Sequence, residues 1–374
     1  MRVSGAVLRE MGAAPPYGSS RPLEVTEVEL DPPSPGELLV RIAATGLCHS
    51  DLSVIDGSRP RVMPMLLGHE AAGEVVETGP GPSAFAPGDH VVMSFVPVCG
   101  VCGPCRVGRV ALCERGAAAN LAGELLAGGR RIRDAHGTAL NHHLGVSGFA
   151  GHAVVSEASA VRVDHDLPFE VAALFGCAVL TGVGAVVNSA RVEVGDTVAV
   201  FGLGGVGLAA LLGARAAGAR EIVAVDVVPM KLELARELGA TDAIPASEDV
   251  VEAVREATGG GPDHAIETVG SERVLAEAYA ATRRGGTTVT VGLPHPERML
   301  AIPAVSLVTE ERTLRGSYLG SSVPARDVPR FVDLYRAGRL PVDRLLSHRV
   351  RLEELNEAFD RLARGEAVRQ VLVL

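Results

Sequence analysis

The sequence predicts an α/β protein of two domains: a β-rich, loop-decorated domain interrupted by a doubly wound parallel sheet. Two changes of texture and one motif predict it. Residues 1 to about 178 are rich in Gly and Pro, with short alternating segments. Residues 196 to 293 alternate continuous apolar runs with helical stretches, the rhythm of buried parallel strands and their crossover helices. At the head of that region, Gly202-Leu-Gly-Gly-Val-Gly207 joins a run to a helix. At 374 residues the chain is long enough to give each domain its own core.

The elements follow in order. Leu38 to Ala43 and Glu74 to Glu77 read as strands between the turns Pro35-Gly36 and Pro87-Gly88-Asp89. Thr197 to Phe201 is an unbroken apolar run, as a strand covered on both faces requires. A small-residue helix follows, then a strand over Glu221 to Asp226. The next helix runs from Pro229 to Leu238, with Pro in its first turn and Gly239 after its end. Asp249 to Ala257 reads as a helix, and Asp263 to Thr268 and Thr287 to Val291 as strands. The apolar stretch Met299 to Val308 reads as a last strand at the edge of the parallel sheet. The tail from about 322 returns to mixed texture and is expected to rejoin the first domain.

Composition narrows the function. Apolar residues make up 47% and charged residues 21%, which fits a folded globular chain and not a disordered one. Thirty-five basic against 45 acidic residues leave a net charge of -10, which argues against nucleic acid and anionic membranes as partners. No apolar run approaches the ~20 residues of a membrane span. The stretch Met1 to Glu10 carries no secretion signal, so a cytoplasmic location with reduced cysteines is expected.

The six cysteines carry the strongest chemical signal. Four lie together: Cys99, Cys102, Cys105 and Cys113. Thiolates two residues apart on a Gly-containing turn can converge on one tetrahedral ion, with Zn–S near ~2.3 Å. Four thiolates fill that sphere, so the site is structural. Disulfides are the alternative in an oxidising compartment. An iron–sulfur cluster is the alternative at similar spacing, but nothing else in the chain suggests electron transfer. The other two cysteines are far apart: Cys48 in Gly46-Leu-Cys-His-Ser-Asp51, and Cys177 in Phe175-Gly-Cys. His69 lies between them in Gly68-His-Glu70. Two thiolates and an imidazole make a three-ligand zinc with an open position, although a lone buried Cys is more often inert filling and a lone His a core residue.

In the glycine motif, Gly202 makes the tight turn. Gly204 lets the backbone approach a pyrophosphate, and Gly207 allows close packing of helix on strand. Gly205 and Val206 open the helix, whose N-terminus faces the phosphates. Asp226 ends the next strand 19 residues after Gly207, where a carboxylate accepts the hydroxyls of an adenosine ribose. This combination predicts a Rossmann domain that binds NAD.

With these motifs in hand, the chain resembles the zinc-containing medium-chain alcohol dehydrogenases over its whole length. It is most similar to the long-form subgroup of liver-type enzymes and thiol-dependent formaldehyde dehydrogenases. The spacing of 21 between Cys48 and His69 fits that family. The resemblance implies a GroES-like catalytic domain of residues 1–178 and 322–374, with a structural zinc lobe at about 95–115. A Rossmann domain of residues 179–321 interrupts it, and the substrate lies in the cleft between them. It implies two zinc ions per chain, the catalytic one held by Cys48, His69 and Cys177. Asp51 would accept the free ring N–H of His69, and Glu70 would sit behind the metal. Ser50 would contact the substrate oxygen and begin the proton relay. Asp226 and Lys231 would hold the ribose, and Arg369 and His49 the pyrophosphate. Thr181 and Val291 complete the cofactor set, and Phe95, Leu144, Leu293 and Tyr318 are the pocket candidates. The implied reaction is reversible hydride transfer between an alcohol and NAD, the alcohol being activated on zinc.

Two positions depart from the liver-type pattern. The His that ends the proton relay there is Ser53 here, so the relay would end on water. His49 stands where several relatives place an Arg, which would weaken the hold on the cofactor. Three other readings share the motifs: a thiol-adduct formaldehyde dehydrogenase, with Arg59 as a candidate contact for the thiol, a zinc-free quinone reductase, and a non-catalytic relative. The complete ligand set argues against the last two. The family's dimers join at the edge of the Rossmann sheet, and the long segment from Gly116 to Gly137 is shared by its dimeric members. A homodimer acting on a small alcohol or aldehyde is therefore expected.

Overall fold

The shift in texture near residue 178 is also a boundary in contact. A computed structural model describes residues 1–247 and 249–374, and its contacts divide the chain into two units. One comprises Met1–Cys177, Val323–Pro329 and Leu346–Leu374; the other comprises Ala178–Ser322 and Arg330–Leu345.

The first unit holds two sheets. One is a small closed barrel of the strands Arg2–Leu8, Leu23–Leu30, Ile132–Asp134, Ala139–His142 and Met65–Leu66. The other is built around β1 (Glu37–Gly46), which pairs antiparallel with β2 (Glu70–Thr78) and with Arg369–Val373. That last pairing, Gly46 with Val371 and Thr45 with Leu372, returns the tail to this unit. Helix α1 (His49–Ile55) leaves the end of β1 after a two-residue turn, α2 (Glu114–Ala122) follows the four-cysteine lobe, and α3 (Phe169–Leu174) ends three residues before Cys177. One apolar core binds α1 to the tail: Leu47, Leu52, Val54, Ile55, Phe149, Leu355, Phe359 and Leu372 are all buried.

The second unit is a parallel sheet of β3 (Thr197–Phe201), β4 (Glu221–Asp226), β5 (Asp242–Pro245), β6 (His264–Glu267), β7 (Thr287–Thr290) and β8 (Thr313–Gly316). Their order is β5-β4-β3-β6-β7-β8, every neighbouring pair parallel. The order reverses between β3 and β6, the switch point at which open α/β sheets bind ligands. Helix α4 (Gly205–Ala217) follows β3 and α5 (Pro229–Leu238) follows β4; α5 starts at its Pro and stops at Gly239 in the left-handed region. Buried Ala199, Phe201, Val223, Val225, Val254 and Ala265 pack the core.

Two expectations are corrected. The segment 299–308 is not a strand: Ala304–Thr309 is a helix and the sheet edge is β8. Pro303 has no N–H for a ladder and caps that helix, and Ser306 Oγ donates to its carbonyl at 2.6 Å. A short apolar run does not separate strand from helix by periodicity alone. Within the tail, residues 330–345 pack with the parallel sheet's unit and not with the first. Among the described residues no helix is long and apolar enough to cross a membrane.

Candidate active site

The end of β1 and the start of β2 bring the first ligands together, since Gly46 pairs with Glu70. Cys48 is the N-cap of α1, and Asp51 reaches back so that Oδ2 accepts the Cys48 N–H at 3.1 Å. The same carboxylate takes His69: Nδ1 donates to Asp51 Oδ1 at 3.0 Å. One acidic side chain thus fixes a Cys backbone and a His ring and leaves the other His nitrogen free to bind a metal. Gly68 makes the approach possible. It sits at φ +89°, and a Cβ there would lie 2.6 Å from Phe149 N. Phe95 packs edge-on against the His69 ring, 5.6 Å between centroids.

Cys48, His69, Cys177 and Glu70 are all buried, and their ligand atoms lie within 4.8 Å of one another. Two sulfurs, one imidazole nitrogen and a nearby carboxylate suit zinc with one position open. The electrostatics fit a cation. The hydrogen bond from Cys177, with help from His69 and Arg369, holds the Cys48 thiol well below its ordinary range, and the same contact pushes Cys177 up. Two buried thiolates cannot both be charged side by side without a positive charge between them. Burial opposes ionisation of Asp51, but His69 and His143 keep its carboxyl below the usual range.

Arg369, the residue that the resemblance sets against a pyrophosphate, stands beside the cysteine and histidine cluster. It is buried, Nη1 donates to Leu47 O at 2.8 Å, and Nη2 lies 3.3 Å from Glu70 Oε2. A guanidinium surrounded by Glu70 and the two thiols serves as their counter-ion, and they raise its pKa further against the effect of burial. Ser50 lies half-buried and His49 exposed in the first turn of α1.

The four-cysteine lobe also converges. The sulfurs of Cys99, Cys102, Cys105 and Cys113 all lie within 4.8 Å of one another, and Cys99 and Cys105 are 4.0 Å apart. Tetrahedral ligands at about 2.3 Å stand roughly 3.8 Å apart, so the spacing fits one zinc. Backbone N–H groups already point at sulfur: Cys102 N donates to Cys99 Sγ at 3.4 Å, and Gly116 N to Cys113 Sγ at 3.3 Å. A backbone N–H from Cys105 helps bring Cys102 down to about 6, while burial pushes Cys105 up to about 12. All six cysteines are free thiols, so the disulfide alternative finds no support here.

In the second unit, Gly202 at φ +90° turns the chain from β3 into α4. Gly204 is the N-cap, with open space where its Cβ would stand. Asp226 ends β4 with its carboxylate anchored: Oδ2 accepts from Leu203 N at 2.6 Å and Oδ1 from Val228 N at 2.9 Å. A carboxylate has about four lone-pair sites, so two remain for ribose hydroxyls. Lys231 is buried in α5, and Thr181 is buried in the helix Ala178–Gly184. Val291 is half-buried; Leu293 and Tyr318 are exposed in this unit, while Phe95 and Leu144 belong to the first.

Sequence reasoning missed His143. It is 1% exposed, and its Nδ1 lies 3.1 Å from Asp51 Oδ1. The available signal was the pair His142-His143 beside Leu144.

Known proteins match along the whole chain. Residues 34–168 match the alcohol dehydrogenase GroES-like domain and residues 205–337 the zinc-binding dehydrogenase domain. The chain is 40% identical to geraniol dehydrogenase of Castellaniella defragrans, over 98% of this chain and 96% of that one. It is 36% identical to S-(hydroxymethyl)glutathione dehydrogenase of Paracoccus denitrificans over the full length of both. The crystal structure of benzyl alcohol dehydrogenase from Acinetobacter calcoaceticus superposes with a TM-score of 0.92 at 32% identity, covering 100% of this chain and 99% of that one. Both halves thus match in order and at full length, and the chain belongs to the zinc-containing alcohol dehydrogenase family.

Proposed function

We propose that the protein is an NAD-dependent alcohol dehydrogenase that holds two zinc ions per chain. The observation that carries this reading is the convergence of Cys48, His69 and Cys177, with Glu70 behind them and Asp51 on the far side of the His69 ring. When bound, zinc supplies a Lewis acid that eases loss of the alcohol proton, and the nicotinamide accepts the hydride. Oxidation removes one proton and one hydride from the alcohol, so the chain must provide for each. Ser50 takes the proton and passes it to water, since Ser53 offers no imidazole at the next step. Gly204 and the first turn of α4 hold the pyrophosphate by backbone N–H groups, and Asp226 and Lys231 hold the ribose. Cys99, Cys102, Cys105 and Cys113 hold the second, structural ion.

We further propose a homodimer formed at β8. This strand has no outer neighbour among the described residues, and Met299, Val305 and Val308 stand 83%, 66% and 78% exposed in the segment before it. Six free thiols at ligand positions suit the cytoplasm. The second reading is oxidation of a thiol adduct of formaldehyde; the relative from Paracoccus denitrificans and half-buried Arg59 just after α1 favour it.

The test is zinc analysis together with NADH formation from a panel of alcohols, run with and without glutathione. Two zinc ions per chain and thiol-independent turnover are expected. Turnover of formaldehyde only with the thiol would select the second reading. Fewer than about 1.5 zinc ions per active chain would overturn the metal assignment, and no NADH under any condition would overturn the enzyme.

A further inference from the structure

We propose that Thr268 is a positioning residue of the cofactor site: its hydroxyl clamps the carbonyl of Gly202 and holds the turn from Gly202 to Gly204 in the arrangement that binds a pyrophosphate. The proposal rests on the NAD reading above and concerns what sets the affinity for that cofactor.

The turn between β3 and α4 is tied on two sides. Toward β4, the Gly202 N–H donates to Val225 O at 2.8 Å and the Leu203 N–H to Asp226 Oδ2 at 2.6 Å. Toward β6, Thr268 Oγ1 donates to Gly202 O at 2.9 Å, with Phe201 O beside it at 3.2 Å. β4 and β6 are the two neighbours of β3 in the sheet. One side chain from the end of each neighbour thus fixes the turn, and Thr268 is the one on the β6 side.

Thr268 is itself held. Its N–H donates to Phe201 O at 3.0 Å. The next two N–H groups, of Val269 and Gly270, donate to Glu267 Oε1 at 2.7 and 2.6 Å. Glu267 Oε2 accepts from Thr290 Oγ1 at 2.6 Å, which ties the same loop to β7. With its backbone pinned and its β-branched side chain stiff at χ1, the hydroxyl has one place to stand. Loop and turn also touch: a Cβ on Gly202 would lie 2.6 Å from Val269 Cγ2 and 3.0 Å from Thr268 Oγ1.

The clamped carbonyl and the first N–H groups of α4 belong to one short piece of backbone. A Cβ on Gly207 would lie 1.8 Å from Gly202 O, so that carbonyl and the start of the helix are packed together and shift together. Glycines leave such a turn many conformations unless something fixes it. A ligand that binds only one of them meets an apparent Kd raised by the inverse of the competent fraction. The Thr268 hydroxyl keeps that fraction high, so the cofactor does not have to order the turn as it binds.

The experiment uses Thr268→Val, which keeps the branched shape and removes the donor, and Thr268→Ser, which keeps the donor. Kd values for NADH, ADP-ribose and adenosine are measured on the zinc-loaded proteins by NADH fluorescence and calorimetry. Thr268→Val should weaken NADH and ADP-ribose about fivefold, the scale of one hydrogen bond, and leave adenosine, which has no phosphate, unchanged. Its KM for NAD should rise without a fall in kcat at saturating NAD, and Thr268→Ser should restore the wild-type values. A Thr268 that only stabilised the fold would lower Tm and leave every Kd of the folded protein alone. Wild-type NADH affinity in Thr268→Val therefore overturns the proposal, as does an equal loss in Thr268→Ser or an equal loss for adenosine. Should Thr268→Val not fold, Thr268→Ala, which removes the donor without adding bulk, must show the same pattern. If the wild type binds neither NADH nor ADP-ribose, the cofactor reading itself fails and the proposal falls with it.

Discussion

Gly204 and Gly207 are two residues of one motif, and the structure gives them different jobs that substitution can separate. A Cβ on Gly207 would lie 1.8 Å from Gly202 O and 2.9 Å from Thr268 Oγ1. The first is backbone, so nothing flexible can yield. Carbon and oxygen do not approach closer than about 3 Å, and the start of α4 must move roughly 1.2 Å away from the turn. Overpacking on this scale costs about 3 kcal/mol, which for a unit of this size is a fall in Tm of roughly 6–12 °C. The same movement carries the phosphate-facing N–H groups out of place. Each is a charge-assisted hydrogen bond of about 1.5–3 kcal/mol, so NADH should weaken by roughly 10- to 100-fold. Gly204 is the control. Its φ is -74°, which any residue tolerates, and its Cβ would meet nothing within 4 Å. Gly204→Ala should therefore keep the wild-type Tm while its methyl group crowds the pyrophosphate and weakens NADH. Differential scanning fluorimetry and NADH fluorescence titration on both variants decide the matter. A Gly207→Ala protein with wild-type Tm, or a Gly204→Ala protein with wild-type NADH affinity, would refute the reasoning.

Three further outcomes are expected. Cys48→Ala should lose turnover and one zinc with little change in Tm, whereas Cys102→Ala should lose the other zinc and unfold at lower temperature, as elemental analysis and thermal melts will show. Asp226 should make NAD the preferred cofactor by at least about 100-fold in kcat/KM: a carboxylate about 4 Å from a phosphate charge repels it by roughly 4 kcal/mol per unit charge at an effective dielectric of ~20, before screening. Asp226→Asn should erase most of that ratio, and a wild type indifferent to the two cofactors would contradict it. Burial lowers the pKa of His142 to about 3, so the folded state resists its protonation. The depressed value means that its stabilising contribution is complete above pH ~6.5 and is lost as pH falls from there toward 3, by an amount of order 4–5 kcal/mol. Urea melts from pH 7 to 4.5 should show a shallower loss for His142→Gln than for the wild type, and parallel curves would count against it.

What could be read from the sequence was what is local. Thr197–Phe201 and Glu221–Asp226 form strands with the bounds suggested by their runs, because strands covered on both faces keep their interior positions apolar and leave polar residues to their ends. The clustering of these side chains was legible for the same reason: Cys99, Cys102 and Cys105 are neighbours in sequence, and Gly-His-Glu announces its own turn. The stretch 299–308 misled because its apolar residues are largely exposed; without burial, an apolar run says little about which backbone carries it. Arg369 and His143 were beyond local reading. Arg369 meets Leu47 across 322 residues, and His143 meets Asp51 across 92, so only the pairing of Arg369–Val373 with β1 and the turn at Leu144 create those contacts.

Of these two, Arg369 sets the charge balance of the proposed metal centre, and His143 stands beside Asp51. Cys48 and Cys177 supply two negative charges when both are ionised, the number a divalent cation neutralises. Glu70 and Asp51 would then leave two more negative charges in a buried site, which burial alone would not permit. Arg369 cancels one through Glu70. Asp51 keeps the other, and it is held by donors instead of a counter-charge: Cys48 N–H, Gly68 N–H and the His69 ring, with His143 Nδ1 at its side. Removing Arg369 should therefore harm the site, because a buried positive charge 3.3 Å from Glu70 would be lost. Arg369→Leu is expected to weaken zinc retention against a chelator, while Arg369→Lys, which keeps the charge, should restore most of it. Equal zinc loss from the two variants would mean that the shape of the guanidinium and not its charge is what the centre needs.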